Sequence, residues 1–290
     1  GGSGWGAGTW GRSTWGSSSS LIVAGAQLRL WSHDNFGEDM LINPMNGGIY
    51  YWDRSGNSGS PFGRAVELAT LAGADSTTPT IASKVLVSDV DRHIIVFGCD
   101  SEEAIGTQDP LLIRFSSQES LTASTESTNT AGSIKIGTGS EIVSAIETKQ
   151  GIVVFTDVSV HAMRYLGPPF TFGVTQISEN ITITGPLVAV AVDDVVYWMG
   201  KRDFYVYDGR VQKLPCSVKS YVFGDFNLSQ SLKFHATTNT SFNEVTWFYC
   251  SEQSDEIDRY VTYNYQEQVW YYGTLSRTAW VDRGLNDYPL

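Results

Sequence analysis

The residues that could do chemistry are thinly spread along this chain. His33, His93, His161 and His235 stand alone, with no HxH or HExxH pair, so they supply no metal-ligand spacing and read as structural or surface histidines. Cys99, Cys216 and Cys250 are odd in number, widely separated and without a CxxC pair. That argues against a disulfide framework or a zinc site and for buried free thiols. No GxSxG nucleophile elbow and no Walker loop occurs. Asp193 and Asp194 are adjacent, so on a strand they would face opposite sides, whereas a glycosidase needs two carboxyls facing one cleft. In the string DDVV they read as a turn. The expectation is a chain with no catalytic residue, no cofactor and no metal.

Two acidic loops could still matter. Asp100-Ser101-Glu102-Glu103 and the stretch Glu252–Asp258 lack the alternating oxygen ligands and fixed glycine of a calcium loop. Three readings remain for them: solvated hairpin tips, a cation site, or an acidic channel or rim lined by Glu102, Glu103, Asp255, Glu256 and Asp258. Ser32-His33-Asp34-Asn35-Phe36-Gly37 approaches the SxDxGxxW Asp-box of sialidase-type propellers. Phe36 places the glycine one position late, and no tryptophan follows. Even a true Asp-box is a structural turn.

The charge balance narrows the partners. The chain carries 19 basic and 31 acidic residues, a net charge of −12, and no basic stripe with which to grip phosphates. An acidic protein can still surround DNA as a wall that does not bind it. The longest apolar run, Leu187–Gly200, is split by Asp193-Asp194, so no membrane span is expected.

The elements that must position these residues are strands. Val, Ile, Thr, Tyr and Trp are abundant and lysine is scarce. No convincing amphipathic helix appears, and Glu67–Ala74 is the best short helical candidate. Leu28–Asp53 reads as apolar run, turn at His33–Asp39, apolar run, Gly-rich turn and aromatic run. Ser116–Ser133 is polar and reads as an exposed loop. Similar strand-rich units follow, at roughly Leu21–Gly63, Ile81–Ser117, Ile134–Glu179, Asn180–Asn227 and Leu228–Val281. An aromatic strand ending in Asp53, Asp157, Asp208 or Asn264 recurs among them. A period near 45 residues with about four strands per unit is the pattern of a β-propeller. The expected fold is therefore all-β: a propeller-like array of antiparallel blades, complete or incomplete, over residues 21–290, with a β-sandwich pair, whose spacing would be less regular, as the alternative.

Residues 1–20 differ. Seven glycines and six serines surround Trp5, Trp10 and Trp15, spaced five apart, a period of neither helix nor strand. They form either a flexible linker or an interface arm whose indoles anchor on a neighbouring subunit. The chain begins without Met and ends in Asp287-Tyr288-Pro289-Leu290 with no closing feature, so a segment of a longer polypeptide is expected.

Leu30-Trp31-Ser32-His33-Asp34-Asn35-Phe36-Gly37-Glu38-Asp39, Asn43-Pro44 and Gly47-Gly48-Ile49-Tyr50-Tyr51-Trp52-Asp53 together resemble the tail nozzle proteins of short-tailed bacteriophages. These are also described as packaged-DNA stabilisation proteins or tail tubular proteins B. The Trp-Gly repeat before this stretch and Ala279–Gly284 after it are similar too. The resemblance implies a propeller-containing virion protein, six copies of which form a tube below the portal and adaptor. It implies homo-oligomeric contacts, contacts with other tail or portal-adaptor proteins, and double-stranded DNA passing without specific binding. It carries over no catalytic residue. The alternative from the residues alone is a receptor- or glycan-binding propeller module, with exposed aromatics as its platform.

Overall fold

A computed structural model describes residues 28–55, 63–125, 128–284 and 289. Its elements form five four-stranded antiparallel sheets, each a meander in chain order. The first holds β1 (Trp31–Phe36), β2 (Asp39–Pro44), β3 (Tyr50–Trp52) and β4 (Val66–Glu67). The second holds β5 (Lys84–Val87), β6 (Ile94–Phe97), β7 (Leu112–Phe115) and β8 (Gly132–Lys135). The third holds β9 (Ile142–Thr148), β10 (Gly151–Thr156), β11 (Ser159–Gly167) and β12 (Thr171–Glu179). The fourth holds β13 (Ala189–Val192), β14 (Val195–Met199), β15 (Phe204–Tyr207) and β16 (Val211–Leu214). The fifth holds β17 (His235–Asn239), β18 (Glu244–Tyr249), β19 (Arg259–Asn264) and β20 (Val269–Thr274). The expected all-β, blade-like architecture is what the chain forms. Among the described residues the sheets make an open, propeller-like array that does not close into a ring.

Turn chemistry accounts for much of this local structure. Asp193 and Asp194 join β13 to β14 with φ of 46° and 68°, the left-handed pair that a tight hairpin requires. Gly151 opens β10 at φ 135°, where an added Cβ would stand 2.5 Å from the Met163 carbonyl oxygen, so a side chain does not fit.

The core lies between sheets. β6 and β7 are buried along their whole length, because the second sheet is covered on both faces, and they show no polar alternation. Trp198 of the fourth sheet meets Phe155 of the third edge-on at 5.0 Å, and Phe204 of the fourth lies 4.8 Å from Trp247 of the fifth. Both tryptophans are fully buried. Each such ring contributes about 1.5–3 kcal/mol by burial, and the paired rings add roughly 0.5–1.5 kcal/mol.

Several boundaries differ from the sequence expectation. His33–Phe36 is strand, and the turn shrinks to Gly37-Glu38. The polar residues of β1 are compatible with a strand because a neighbouring sheet satisfies them, as described below. Val66-Glu67 completes the first sheet, so Glu67, the first residue of the helical candidate, is strand. The stretch 116–133 is not simply exposed: Ser116 and Ser124 are buried, and Gly132 begins β8. The cause is Arg114, almost wholly buried, whose guanidinium draws in the Ser124 carbonyl at 3.2 Å. Ile134, expected in the third unit, belongs to the second sheet. Asp53, Asp208 and Asn264 end or follow third strands, whereas Asp157 follows a second strand, so that recurrence is out of step in one sheet. Helix is confined to short pieces: a 3-10 turn at Leu68–Thr70 within the expected helical candidate, α1 (Lys219–Phe223), and 3-10 turns at Leu228–Lys233 and Thr240–Phe242.

Candidate functional site

The first strands of successive sheets are joined along one inner seam, built largely from carboxylates that accept backbone amides of the next sheet. On β1 the spacing of two places Ser32 and Asp34 on the same face. The free-edge amides of β5 donate to them, Val85 to Ser32 Oγ at 3.1 Å and Val87 to Asp34 Oδ2 at 2.8 Å. Ser32 in turn donates to Asn43 Oδ1 at 3.3 Å, and the buried Asn43 amide donates to the Ala82 carbonyl at 3.2 Å, back in the second sheet's approach. The SxD pair is thus an inter-sheet clamp.

The device recurs with other residues. The Asp89 amide after β5 donates to Glu147 Oε1 of β9 at 2.9 Å. The Lys149 amide after β9 donates to Asp194 Oδ1 of the β13–β14 turn at 2.8 Å. The fourth seam uses backbone and indole: the Ala236 amide donates to the Leu187 carbonyl at 2.8 Å, and Trp247 Nε1 to the Val188 carbonyl at 3.0 Å. The paired positions rise together from β1 to β5, and the Leu187–His235 bridge is parallel. First strands therefore run in one direction at these seams.

Asp34, Asp89 and Glu147 gather at the same end of the inner edge. Burial pushes the Glu147 carboxyl up to about 7; the Asp89 amide opposes this, and the carboxylates of Asp89 and Asp34 add to it. Lys84 on β5 is half-buried. Burial pulls its ammonium down to about 8 against the attraction of Asp34. The arrangement holds the array together and leaves a predominantly acidic inner end. It was not legible in the sequence, since each carboxylate meets its amide only after the sheets pack.

The residues singled out from the sequence fall elsewhere. Trp5, Trp10 and Trp15 lie outside the described residues. Glu102 sits 3.3 Å from the buried Arg114 guanidinium, so it acts as a counter-charge, while Glu103 is exposed. Asp255 accepts from Gln230 at 3.2 Å, and Glu256 pairs with Lys233 at 3.0 Å. Asp258 accepts both the amide and the hydroxyl of Ser251 at 2.7 Å. The two acidic loops are the second-to-third strand connections of different sheets, the second and the fifth.

The other candidates are dispersed. His33 is exposed on β1, His93 packs edge-on against Phe172 at 5.1 Å, His161 shares a hydrogen bond with Ser159 Oγ at 2.9 Å, and His235 stacks on Phe248 at 4.9 Å. Burial depresses the last three imidazoles. Cys99 and Cys250 are buried free thiols, and Cys216 is a half-buried one. Among the described residues no group of three or more His, Cys, Asp or Glu could hold a metal ion, and no helix is long and apolar enough to cross a membrane.

No protein-family model and no curated protein matches the chain. Among solved structures it is similar to a mutant of Synechocystis apocarotenoid oxygenase, at 7% identity and a TM-score of 0.40. The match covers 83% of this chain and 58% of the oxygenase, so the chain spans little more than half of that structure's length. The expectation that the chain is not an enzyme does not stand unopposed, since a solved structure to which it is similar is an enzyme. A likeness of this size carries no argument for oxygenase activity either.

Proposed function

We propose that this chain is a structural subunit of a short-tailed phage tail nozzle, one of several copies surrounding a passage through which packaged DNA is retained and then ejected. The resemblance of residues 30–53 to that family supports this reading, and the open array supplies strands that a ring of copies could direct toward a common axis. The observation that carries the reading is the pair of carboxylates Asp34 and Asp89, beside the part-protonated Glu147, at one end of the seam in a chain of net charge −12. A duplex sliding past such a wall is held off by like charge, whereas a basic wall would retain it through counterion release.

Particle mass by light scattering and negative-stain imaging of the purified chain tests the proposal. Closed rings of uniform copy number, and localisation of the chain below the portal in a reconstruction of the virion, are the expected results. A strict monomer absent from the tail would overturn it, as would an axial surface that proves basic.

A further inference from the structure

The seam device occurs once more, beyond the last strand. Past β20 the chain returns to β17. Trp280 Nε1 donates to the Thr238 carbonyl at 3.1 Å, and Asp282 Oδ2 accepts the Thr238 hydroxyl at 2.9 Å and the Thr240 amide at 3.1 Å. The partner positions rise together, 280 with 238 and 282 with 240, as 32 and 34 do with 85 and 87. The stretch therefore runs parallel to β17, as first strands do at the other seams. Thr240 directly follows β17, the place that Lys149 holds after β9. Asp282 thus does for the fifth sheet what Glu147 does for the second and Asp194 for the third.

Burial alternates along this stretch. Trp280 and Asp282 are half-buried, while Ala279, Val281 and Arg283 are exposed, which is the period of a strand laid against a neighbouring sheet. Trp280 also meets Phe248 of the fifth sheet with ring centroids 6.2 Å apart, and Arg277 lies 5.2 Å over its indole. Among the described residues no strand pairs with Ala279–Arg283. It holds the first-strand position of a sixth sheet and presents an edge to which a strand can add.

We infer that the strand added there is Leu21–Gln27 of the same chain, antiparallel to Ala279–Arg283. Leu21-Ile22-Val23-Ala24 is the longest apolar run ahead of β1, and no charge falls between Leu21 and Gln27. The segment also cannot go far. The Leu30 carbonyl is held by the Met45 amide at 2.8 Å, so only Leu28 and Arg29 separate Gln27 from a fixed point. That connection spans about 10 Å at most, close to one spacing between stacked sheets. The second sheet covers one side of the first, whereas on the other side Trp31 is 53% exposed and His33 and Asn35 are exposed with it. The open place lies between the sheet this segment enters and the sheet Asp282 caps. An antiparallel strand there would finish at the end where first strands start, which is where β1 begins. The inference stands apart from the nozzle reading, because it requires no ring and no DNA.

The test is amide exchange on the full chain at several protein concentrations, with a synthetic peptide of residues 21–27 as reference. Amides of Leu21–Gln27 are expected to exchange at least about tenfold more slowly than in the peptide, equally at every concentration. Val23→Pro removes an amide and cannot continue a ladder, so exchange should quicken both across the segment and along Ala279–Arg283. Asp282→Ala should release the same two stretches together, while amides of β14 keep their protection and report an intact fold. Exchange of Leu21–Gln27 at the peptide's rate overturns the inference, as does Val23→Pro leaving Ala279–Arg283 unchanged. Protection that grows with concentration assigns the segment to a neighbouring copy and overturns it as well.

Discussion

The Asp34 carboxylate in the first sheet accepts the Val87 amide of the second at 2.8 Å, across 53 residues of sequence. Val87 lies on the free edge of β5, where an amide would otherwise have only water or a foreign strand as its partner. Asp34 therefore stitches two sheets and blunts an edge. Glu147 and Asp194 do the same between later sheets.

Replacing Asp34 with Ala should leave the Val87 amide unpaired and lower stability by roughly 1–3 kcal/mol. Asp34→Asn keeps an acceptor and should lose less. Urea unfolding measures the difference, and amide exchange at Val87 should quicken in the alanine variant while amides in β18 keep their protection.

Glu147 makes stability depend on pH. Its folded pKa, about 7, lies above its ordinary 4.5, so the folded chain binds more protons in that window. Stability should be greatest below about 4.5 for this group and fall as pH rises through 7. Glu147 is partly open to solvent, so the change should be on the order of 1 kcal/mol after screening. Glu147→Gln still accepts the Asp89 amide and should flatten the melting temperature between about pH 5 and 8.

Two glycines separate backbone strain from crowding. Gly37 has φ of 71° with nothing near a built Cβ, whereas Gly151 has φ of 135° and a Cβ site 2.5 Å from a carbonyl oxygen. Gly37→Ala should cost about 1 kcal/mol, and Gly151→Ala roughly 1–3 kcal/mol beyond that. Equal melting temperatures for the two variants would contradict the described β9–β10 turn.

Trp247 joins the fourth and fifth sheets through packing and through its indole, which donates to the Val188 carbonyl at 3.0 Å. Trp247→Phe should lose the bond and some volume, and Trp247→Ala should cost about 3–5 kcal/mol. Chemical denaturation of both variants orders these effects. Near-equal losses would show that the hydrogen bond outweighs the packing.

Much of the local structure was legible. The hairpin at Asp193-Asp194 follows from its turn residues, and β14 and β15 from their apolar and aromatic runs. Ser32–Phe36 was not legible as strand, because its polar residues resemble a turn until β5 supplies amides to satisfy them. Arg114 hid in the same way. An arginine within LLIRF gives no sign that its guanidinium will turn inward to the carbonyls of Asp100 and Ser124 and so draw a polar loop into the core.

The sequence by itself determined the strand content, most turns and the acidic balance, since alternation, turn conformations and net charge are properties of neighbouring residues or of plain sums. Tertiary structure alone decided which carboxylates became seams. Asp34 with Val87, Asp89 with Glu147 and Lys149 with Asp194 are partners 53, 58 and 45 residues apart. Each pairing depends on how one sheet's inner edge meets the next. That meeting is set by the packing of whole faces around rings such as Trp198 and Trp247, and no local pattern encodes it.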